Sequence, residues 1–257
     1  MTDIDLQEPT TIDHLISPHT ALLRTALDAY WQDCHDGRNP AFGPCLLHGP
    51  GGLGKRLTTR VLAQELGLEV REILASTVWR SSEVGEFFLE AHAAGAAIAM
   101  LCDSPMIPLA FQDRFYHAVK IGLVTVRHAA GQFETVQFDL RRCPIFLCCT
   151  EPQMSGRVLG QFRLQLAFGP YDKQRMDAIV RQRATLMAWS LADEGVSEVV
   201  GVSKGRPGRA MQVLRIAWMV CRAASRSRIT GDDVSQAVRL LEDQGSAERS
   251  QKRSASR

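Results

Sequence analysis

The chain has 257 residues, of which 45% are hydrophobic, enough for one large core and a smaller second domain. No apolar run reaches the roughly 18 residues that a membrane span requires, and the acidic start MTDIDLQEPT is unlike a signal or transit peptide. The seven cysteines include no C-x-x-C pair, which argues against a disulfide framework or a zinc site. We therefore expect a reduced, cytoplasmic protein without membrane contact.

The net charge is only +2, but it is unevenly distributed along the chain. Between Lys204 and Arg257 there are twelve Lys and Arg residues against five Asp and Glu residues. A basic C-terminal third of this kind is typical of a weak DNA-contacting surface. It is equally typical of a solvated helical face followed by a charged tail, so charge alone leaves both interpretations open.

The first third of the chain predicts a helix, two strands and a connecting glycine loop. Apolar residues recur at helical spacing over residues 19–34, and the following DGRNPAFGP ends that helix. CLLHG (45–49) is a short apolar strand that runs into a glycine-rich loop. KRLTTRVLAQELGL (55–68) is a helix with Gly67 as its C-terminal cap, and EVREILA (69–75) is a second strand.

The middle of the chain predicts buried strands and a hairpin. AAIAMLCD (96–103) and PIFLCCT (144–150) are continuous apolar runs, which are typical of strands covered on both faces of a parallel sheet. Two β-rich segments, Leu123–Arg127 and Phe133–Leu140, flank a glycine turn and predict a protruding hairpin. Alternation of strand, loop and helix indicates a layered α/β domain.

From about Tyr171 the pattern predicts helices only. Thr230, followed by two acidic residues, is a strong helix N-terminal signal. We therefore divide the chain into an α/β domain (1–168), a helical domain (169–243) and a basic tail (244–257). The tail has little apolar surface to bury and is expected to be disordered.

The stretch HGPGGLGKRLTTR (48–60) fits the phosphate-binding pattern G-x-x-x-x-G-K-[S/T] at every fixed position except the last. Gly49, Gly54 and Lys55 are present, but Arg56 replaces the hydroxyl residue. Such a loop between a strand and a helix binds phosphate because its N–H groups converge and the helix dipole adds positive potential. The flanking strand and helix favour a phosphate loop over a chance glycine turn.

Beyond the loop, the chain resembles the RuvB branch of the AAA+ ATPases, the motors of Holliday-junction branch migration. The segments that carry the resemblance are CLLHGPGGLGK, AMLCDSPMIPL, FDLRRCPIFLCCTEP, YDKQRMDAIVRQRA and SKGRPGRA, within residues 8–243. The resemblance implies an α/β fold, with an AAA+ P-loop parallel-sheet domain followed by a small all-α lid. The chain leaves no room after the lid for the family's DNA-binding winged helix, so we do not expect independent translocation on DNA.

The resemblance also implies a site for ATP or ADP. Asp103 takes the Walker B position and Thr150 the sensor-1 position, and both are candidate catalytic residues. A strand-end acid that bonds nearby N–H groups is the alternative interpretation of Asp103. The candidate nucleotide-binding residues are Gly49, Pro50, Gly51, Gly52, Leu53, Gly54, Lys55, Arg56, Leu57 and Arg209.

Four departures from the family pattern fall on four catalytic elements. Arg56 cannot donate a lone pair to Mg²⁺ and would repel it, which argues against a bound Mg²⁺; its side chain either contacts phosphate or faces solvent. Ser104 replaces the glutamate that polarises water, and Gln161 stands where the family has its arginine finger. Ungapped alignment places Gly208 on the sensor-2 arginine, with Arg209 one residue late.

Three functions are consistent with this pattern. The first is a non-hydrolysing or weakly hydrolysing AAA+ adaptor or ring subunit, homo- or hetero-oligomeric, in DNA recombination or repair. The second is an active ATP-dependent branch-migration motor. The third is a nucleic-acid-binding module that uses the basic lid and tail. By resemblance, the hairpin at 123–140 is the candidate surface for a RuvA-like partner, and a plain solvent-exposed turn is its alternative.

Overall fold

The chain divides into two compact units. The larger comprises residues 9–51 and 55–169, and the smaller comprises the N-terminal segment through Glu8 together with residues 52–54 and 170–257. The predicted domain boundary between residues 168 and 169 lies one residue from this division. The computed structural model describes residues 7–74, 81–93, 95, 97–102, 116–127, 132–152 and 154–255.

A five-stranded parallel sheet forms the centre of the larger unit. The strands of this unit, in chain order, are β1 (Cys45–His48), β2 (Glu69–Leu74), β3 (Ala97–Cys102), β4 (Leu123–Arg127), β5 (Phe133–Gln137), β6 (Ile145–Cys149) and β7 (Leu164–Ala167). The sheet has the order β2-β3-β6-β1-β7, and every neighbouring pair is parallel. Strands β3 and β6 are buried along their whole length, which confirms the prediction from their continuous apolar sequences.

Helices cover the sheet and close its core. They are α1 (Thr20–His35), α2 (Lys55–Leu66), α3 (Ser81–Ala93) and the short α4 (Gly156–Leu159), with a further helical stretch at residues 116–121. Phe88 of α3 and Phe146 of β6 are among the largest fully buried side chains. Burial of one such side chain stabilises the fold by roughly 1.5–3 kcal/mol.

The two β-rich segments pair with each other, the second strand ending at Gln137 rather than at the predicted Leu140, and β4 packs against α3. Strands β4 and β5 pair antiparallel, with Leu123 opposite Gln137. A Cβ added at Gly85 of α3 would lie 2.4 Å from the Thr125 carbonyl oxygen, so only glycine permits this approach of helix to strand. Strand β5 is largely exposed, and the side chain of Phe133 is 61% accessible.

The smaller unit is a helical bundle, as the sequence predicts, with one additional pair of two-residue strands. Its elements are α5 (Lys173–Leu186), β8 (Ser190–Leu191), α6 (Asp193–Ser203), α7 (Pro207–Ala223), β9 (Arg228–Ile229) and α8 (Gly231–Ala255). Trp189 and Trp218 stack with ring centroids 5.0 Å apart. The Thr230 N–H donates to the buried carboxylate of Asp233 at 2.9 Å, which confirms the predicted helix start.

The prediction of a disordered tail from residue 244 is wrong for residues 244–255. Helix α8 continues without a break to Ala255. The segment is rich in Gln, Glu, Lys, Arg and Ala, which have favourable helix propensity, and it contains no proline. Because the packed first turns of α8 supply the nucleus, each further residue adds a hydrogen bond without a new nucleation cost.

Candidate nucleotide-binding site

The glycine loop joins the end of β1 to the start of α2. Three of its glycines have backbone angles that favour glycine: φ is 129° at Gly49, 77° at Gly52 and 91° at Gly54. Helix α2 begins at Lys55 immediately after the loop and runs for twelve residues. The loop therefore precedes a helix N-terminus, the arrangement that favours phosphate through converging N–H groups and the helix dipole.

Gly49 follows β1 and lies between the carboxyl ends of β6 and β7, the two strands that flank β1 in the sheet. Its N–H donates to the Cys149 carbonyl at 3.1 Å and to the Thr150 carbonyl at 2.9 Å. A Cβ at this position would lie 2.0 Å from the carbonyl oxygen of Phe168. The start of the loop is thus fixed by β6 on one side and by the chain after β7 on the other. Only a residue without a side chain fits there.

The ammonium group of Lys55 lies within the curve of the loop. Its Nζ donates to the Gly49 carbonyl at 2.6 Å and to the Pro50 carbonyl at 2.8 Å. A cation in this position can neutralise the charge of phosphate oxygens that the loop N–H groups hold. Glycine loop, helix N-terminus and lysine therefore fit the triphosphate of a nucleotide.

Arg56 forms an ion pair with Glu72 of strand β2. The Arg56 Nε lies 2.7 Å from Glu72 Oε1, with the two side chains 45% and 34% accessible. The sequence left two orientations open, toward phosphate or toward solvent. In the structure the side chain instead crosses to the neighbouring strand.

The described residues do not supply the hydroxyl ligand that the loop pattern reserves for Mg²⁺. Position 56 presents a guanidinium, which has no lone pair for a metal. Thr58 and Thr59 are both buried, and the Thr59 hydroxyl donates to the Lys55 carbonyl at 3.3 Å. Asp103 and Ser104 lie outside the described residues.

The remaining predicted loop residues differ in exposure. Leu53 is buried, and its carbonyl accepts a hydrogen bond from the Tyr171 hydroxyl at 3.2 Å. Leu57 is half-buried on the first turn of α2. Pro50, Gly51 and Gly52 are exposed at the tip of the loop. Exposed backbone at the tip is what a ligand approaching the loop requires.

Thr150 follows β6 directly and is exposed. Because strands β1 and β6 are parallel neighbours, their carboxyl ends lie side by side, with His48 opposite Cys149. Through the bond from Gly49 to its carbonyl, Thr150 is tied to the first residue of the loop. The structure therefore brings the sensor-1 candidate to the glycine loop, as the sequence predicts.

Gly208 and Arg209 are located on the first turn of α7. The Gly208 N–H donates to the Gly52 carbonyl at 2.8 Å, and a Cβ at Gly208 would lie 3.0 Å from the Gly52 Cα. Arg209 donates from its guanidinium to the Gln212 side chain at 2.9 Å, three residues along the same helix. From the sequence, Gly208 is only a position at which the family's arginine is missing. The structure adds a close backbone contact with Gly52 that leaves little room for a larger side chain.

Gln161 does not present a cation at the arginine-finger position, and its neighbours are engaged elsewhere. The Gln161 side chain donates to the Arg157 carbonyl at 3.2 Å. The Arg157 guanidinium lies over the Tyr116 ring, 4.0 Å from its centroid. Arg163 donates to the Ala41 carbonyl at 3.4 Å, a long hydrogen bond.

Two further residues lie near the loop. Glu72 is located on an edge strand far from any motif, and only its ion pair with Arg56 identifies it. His48 ends β1, and burial, followed by the charges of His19 and Lys55, lowers the pKa of its imidazole. The lowered pKa favours the neutral form of the His48 imidazole.

Neither a metal cluster nor a membrane span is found in the part of the chain that the structure describes. No three His, Cys, Asp or Glu side chains are grouped there to hold a metal ion. Among the helices that the structure describes, none combines the length and apolarity that crossing a membrane requires.

No family model matches the chain. It is 24% identical over 202 residues to the Holliday junction branch migration complex subunit RuvB of Gluconobacter oxydans, covering 76% of this chain and 57% of that protein. It is 23% identical over 209 residues to the same-named subunit of Lacticaseibacillus casei, covering 80% and 61%. The chain thus spans about three-fifths of the length of these relatives.

Solved structures of RuvB have the same fold. A mutant of Thermotoga maritima RuvB superposes with a TM-score of 0.76 at 17% identity, covering 91% of this chain and 74% of that one. The Thermotoga maritima RuvB Holliday junction branch migration motor superposes with a TM-score of 0.71 at 18% identity, covering 91% and 73%. The fold is that of a RuvB-like AAA+ protein, with a parallel-sheet domain and a helical C-terminal portion.

Proposed function

We propose that this chain, which has a RuvB-like AAA+ fold, is a nucleotide-binding protein of DNA recombination or repair that hydrolyses ATP weakly or not at all. It acts as an adaptor or as a non-hydrolysing subunit of a ring. The observation that carries the proposal is the ion pair between Arg56 and Glu72 beside an otherwise complete glycine loop. The names of its relatives, subunits of a Holliday junction branch migration complex, supply the DNA context.

Nucleotide binding is supported by the geometry of the loop. The glycines with positive φ, the start of α2 and the Lys55 ammonium are the features that hold the phosphates of ATP or ADP.

Weak hydrolysis is supported by the chemistry of the replaced residues. Phosphoryl transfer requires charge neutralisation around the transferred group as well as binding. Arg56 supplies a fixed positive charge but no metal ligand, and Gln161 supplies no charge. Loss of an arginine finger alone lowers the rate of a phosphoryl-transfer enzyme by about 10³–10⁵-fold. A protein with these replacements retains binding and loses turnover.

Two surfaces are proposed for partners. The hairpin of β4 and β5 exposes Phe133, and an exposed aromatic side chain is typical of a protein contact. We assign it to a RuvA-like partner. The basic residues of the helical unit, among them Arg222 and Arg239, are exposed and suit weak, salt-sensitive contact with DNA phosphates.

Steady-state ATP hydrolysis with Mg²⁺ and a four-way DNA junction tests the proposal. The expected result is a rate no higher than that of Lys55→Met, which removes the phosphate-binding cation. A rate far above that of Lys55→Met would instead establish the second candidate function, an active ATP-dependent motor. Binding of DNA that is unchanged by nucleotide and by Lys55→Met would indicate a nucleic-acid-binding module.

A further inference from the structure

A small polar pocket lies at the edge of the sheet opposite the glycine loop. Three segments line it, each of them the stretch of chain just before β1, β6 or β7, and they include Pro44 and Pro144. The pocket has a volume of about 110 Å³. The loop lies at the other ends of the same strands, so the four residues of β1, about 13 Å of extended chain, separate the two sites. The pocket is therefore distinct from the nucleotide site.

Hydrogen-bond donors and positive charge dominate this pocket. Lys120 and Arg163 line it together with the carboxamide of Gln161, and no carboxylate is among its described lining residues. The Pro44 carbonyl is already engaged, since it accepts the N–H groups of Arg163 at 3.0 Å and of Leu164 at 3.4 Å. A ligand that brings donors would find few acceptors in this pocket. A ligand that brings acceptors would find several donors.

Neither cation uses its full donor capacity in the contacts within this unit. Lys120 has three N–H bonds and donates one to the Tyr116 hydroxyl at 2.9 Å. Arg163 has five and donates one, in a long bond, to the Ala41 carbonyl. Neither forms an ion pair with a carboxylate among the described residues. Two formal positive charges thus face a pocket that holds no compensating negative charge of its own.

We propose that this pocket is an oxyanion site that binds a dianionic phosphate group. Its size suits one tetrahedral oxyanion with ordered water, because a water molecule occupies about 30 Å³ in the liquid. Two cations balance a dianion better than they balance a single carboxylate, and a guanidinium beside an ammonium suits the several oxygens of phosphate. The phosphate is either the free ion or the terminal group of a nucleotide.

Phosphorus NMR of inorganic phosphate tests this site in the Lys55→Met background, where the glycine loop no longer competes. The expected result is saturable line broadening that reports one phosphate per chain. The pair Lys120→Gln with Arg163→Gln removes both cations and should weaken binding by at least about tenfold. Gln161→Glu, which places a carboxylate in the pocket, should do the same without removing either cation.

The matched control is Arg60→Gln with Arg71→Gln, two exposed arginines outside the pocket whose loss changes the net charge equally. It should leave the broadening intact. Displacement of phosphate by a nucleoside monophosphate identifies the terminal group of a nucleotide as a ligand, and failure of that displacement identifies the free ion. No broadening in Lys55→Met, or equal loss in pocket and control variants, would overturn the site while leaving the proposed function untouched.

Discussion

Replacement of Gly49 by alanine should destabilise the larger unit far more than replacement of Gly51 in the same loop. An added Cβ at Gly49 would lie 2.0 Å from the Phe168 carbonyl oxygen, whereas at Gly51 it would meet nothing within 4 Å. A carbon–oxygen contact needs about 3.3 Å, so the backbone at Gly49 must shift by about 1.3 Å. That shift strains the bonds from the Gly49 N–H to the ends of β6.

The magnitude follows from two terms. A residue other than glycine at a φ of 129° costs about 1–3 kcal/mol, and forcing a methyl group into a packed site costs about 1–3 kcal/mol more. We therefore expect Gly49→Ala to lower the free energy of unfolding by about 2–6 kcal/mol. Gly51→Ala should change it by about 0.5 kcal/mol or less, as is usual for an exposed site.

Urea denaturation followed by far-ultraviolet circular dichroism measures both variants against the unmodified protein. The midpoint of Gly49→Ala should fall to clearly lower urea with an unchanged slope. If the free energies of unfolding of the two variants differ by less than about 1 kcal/mol, the loop adapts to a side chain at Gly49. The close approach of Gly49 to Phe168 would then not constrain this position.

Three further predictions concern residues near the loop and in the core. Gly208→Ala should lower the free energy of unfolding by about 1 kcal/mol, because its added Cβ would lie 3.0 Å from the Gly52 backbone. Gly201→Ala should raise the free energy of unfolding by about 0.5–1 kcal/mol, because alanine has the higher helix propensity and the space around this position on α6 is open. Equal effects of the two substitutions in urea denaturation would contradict this prediction. The pKa of the His48 imidazole should lie below its ordinary value of 6.5 in an NMR pH series, because burial lowers it. As the pH falls below 6.5, the unfolded chain binds a proton at this residue before the folded chain does, so the free energy of unfolding should decline. A titration midpoint at or above 6.5 would refute the argument. Iodoacetamide at pH 8 should modify the half-buried Cys34 well before Cys149, whose pKa burial raises to about 11; equal labelling by peptide mass spectrometry would be evidence against that burial.

Much of the fold follows from local sequence patterns. The continuous apolar runs predict β3 and β6 because strands covered on both faces need apolar residues at every position. Strand β7 (Leu164–Ala167) was missed, since it is four residues long, lies at the sheet edge and alternates in burial. Its existence depends on pairing with β1, a contact that no local pattern records. The helical extension of α8 was missed for a similar reason, because it continues a nucleus that forms elsewhere.

The part of the candidate site that could be predicted is the part whose residues belong to a single sequence motif. The spacing of Gly49, Gly54 and Lys55 places three loop residues together without further information. The partner of Arg56 was not predictable, because Glu72 comes from a different strand and carries no motif of its own. In an alignment, Gly208 is likewise only a position that lacks the family's arginine. Its contact with Gly52 exists only in the folded chain and could not be predicted from the sequence.

The ion pair itself contributes little to stability. The side chains of Arg56 and Glu72 are 45% and 34% accessible. An ion pair exposed to this degree contributes about 0–1 kcal/mol to the free energy of unfolding, because solvent screens it. We propose that its role is directional: it holds the Arg56 guanidinium against β2, at the residue position where the pattern reserves a hydroxyl for Mg²⁺. The account therefore depends on what that charge does to nucleotide binding.

Equilibrium binding of a fluorescent ATP analogue, with and without Mg²⁺, tests this claim most directly in the unmodified protein, in Arg56→Thr and in the control Arg60→Thr. The account predicts binding that does not depend on Mg²⁺ in the unmodified protein and the control, and binding that requires Mg²⁺ in Arg56→Thr. Absence of binding, or binding by the unmodified protein that weakens tenfold or more when Mg²⁺ is removed, would contradict it.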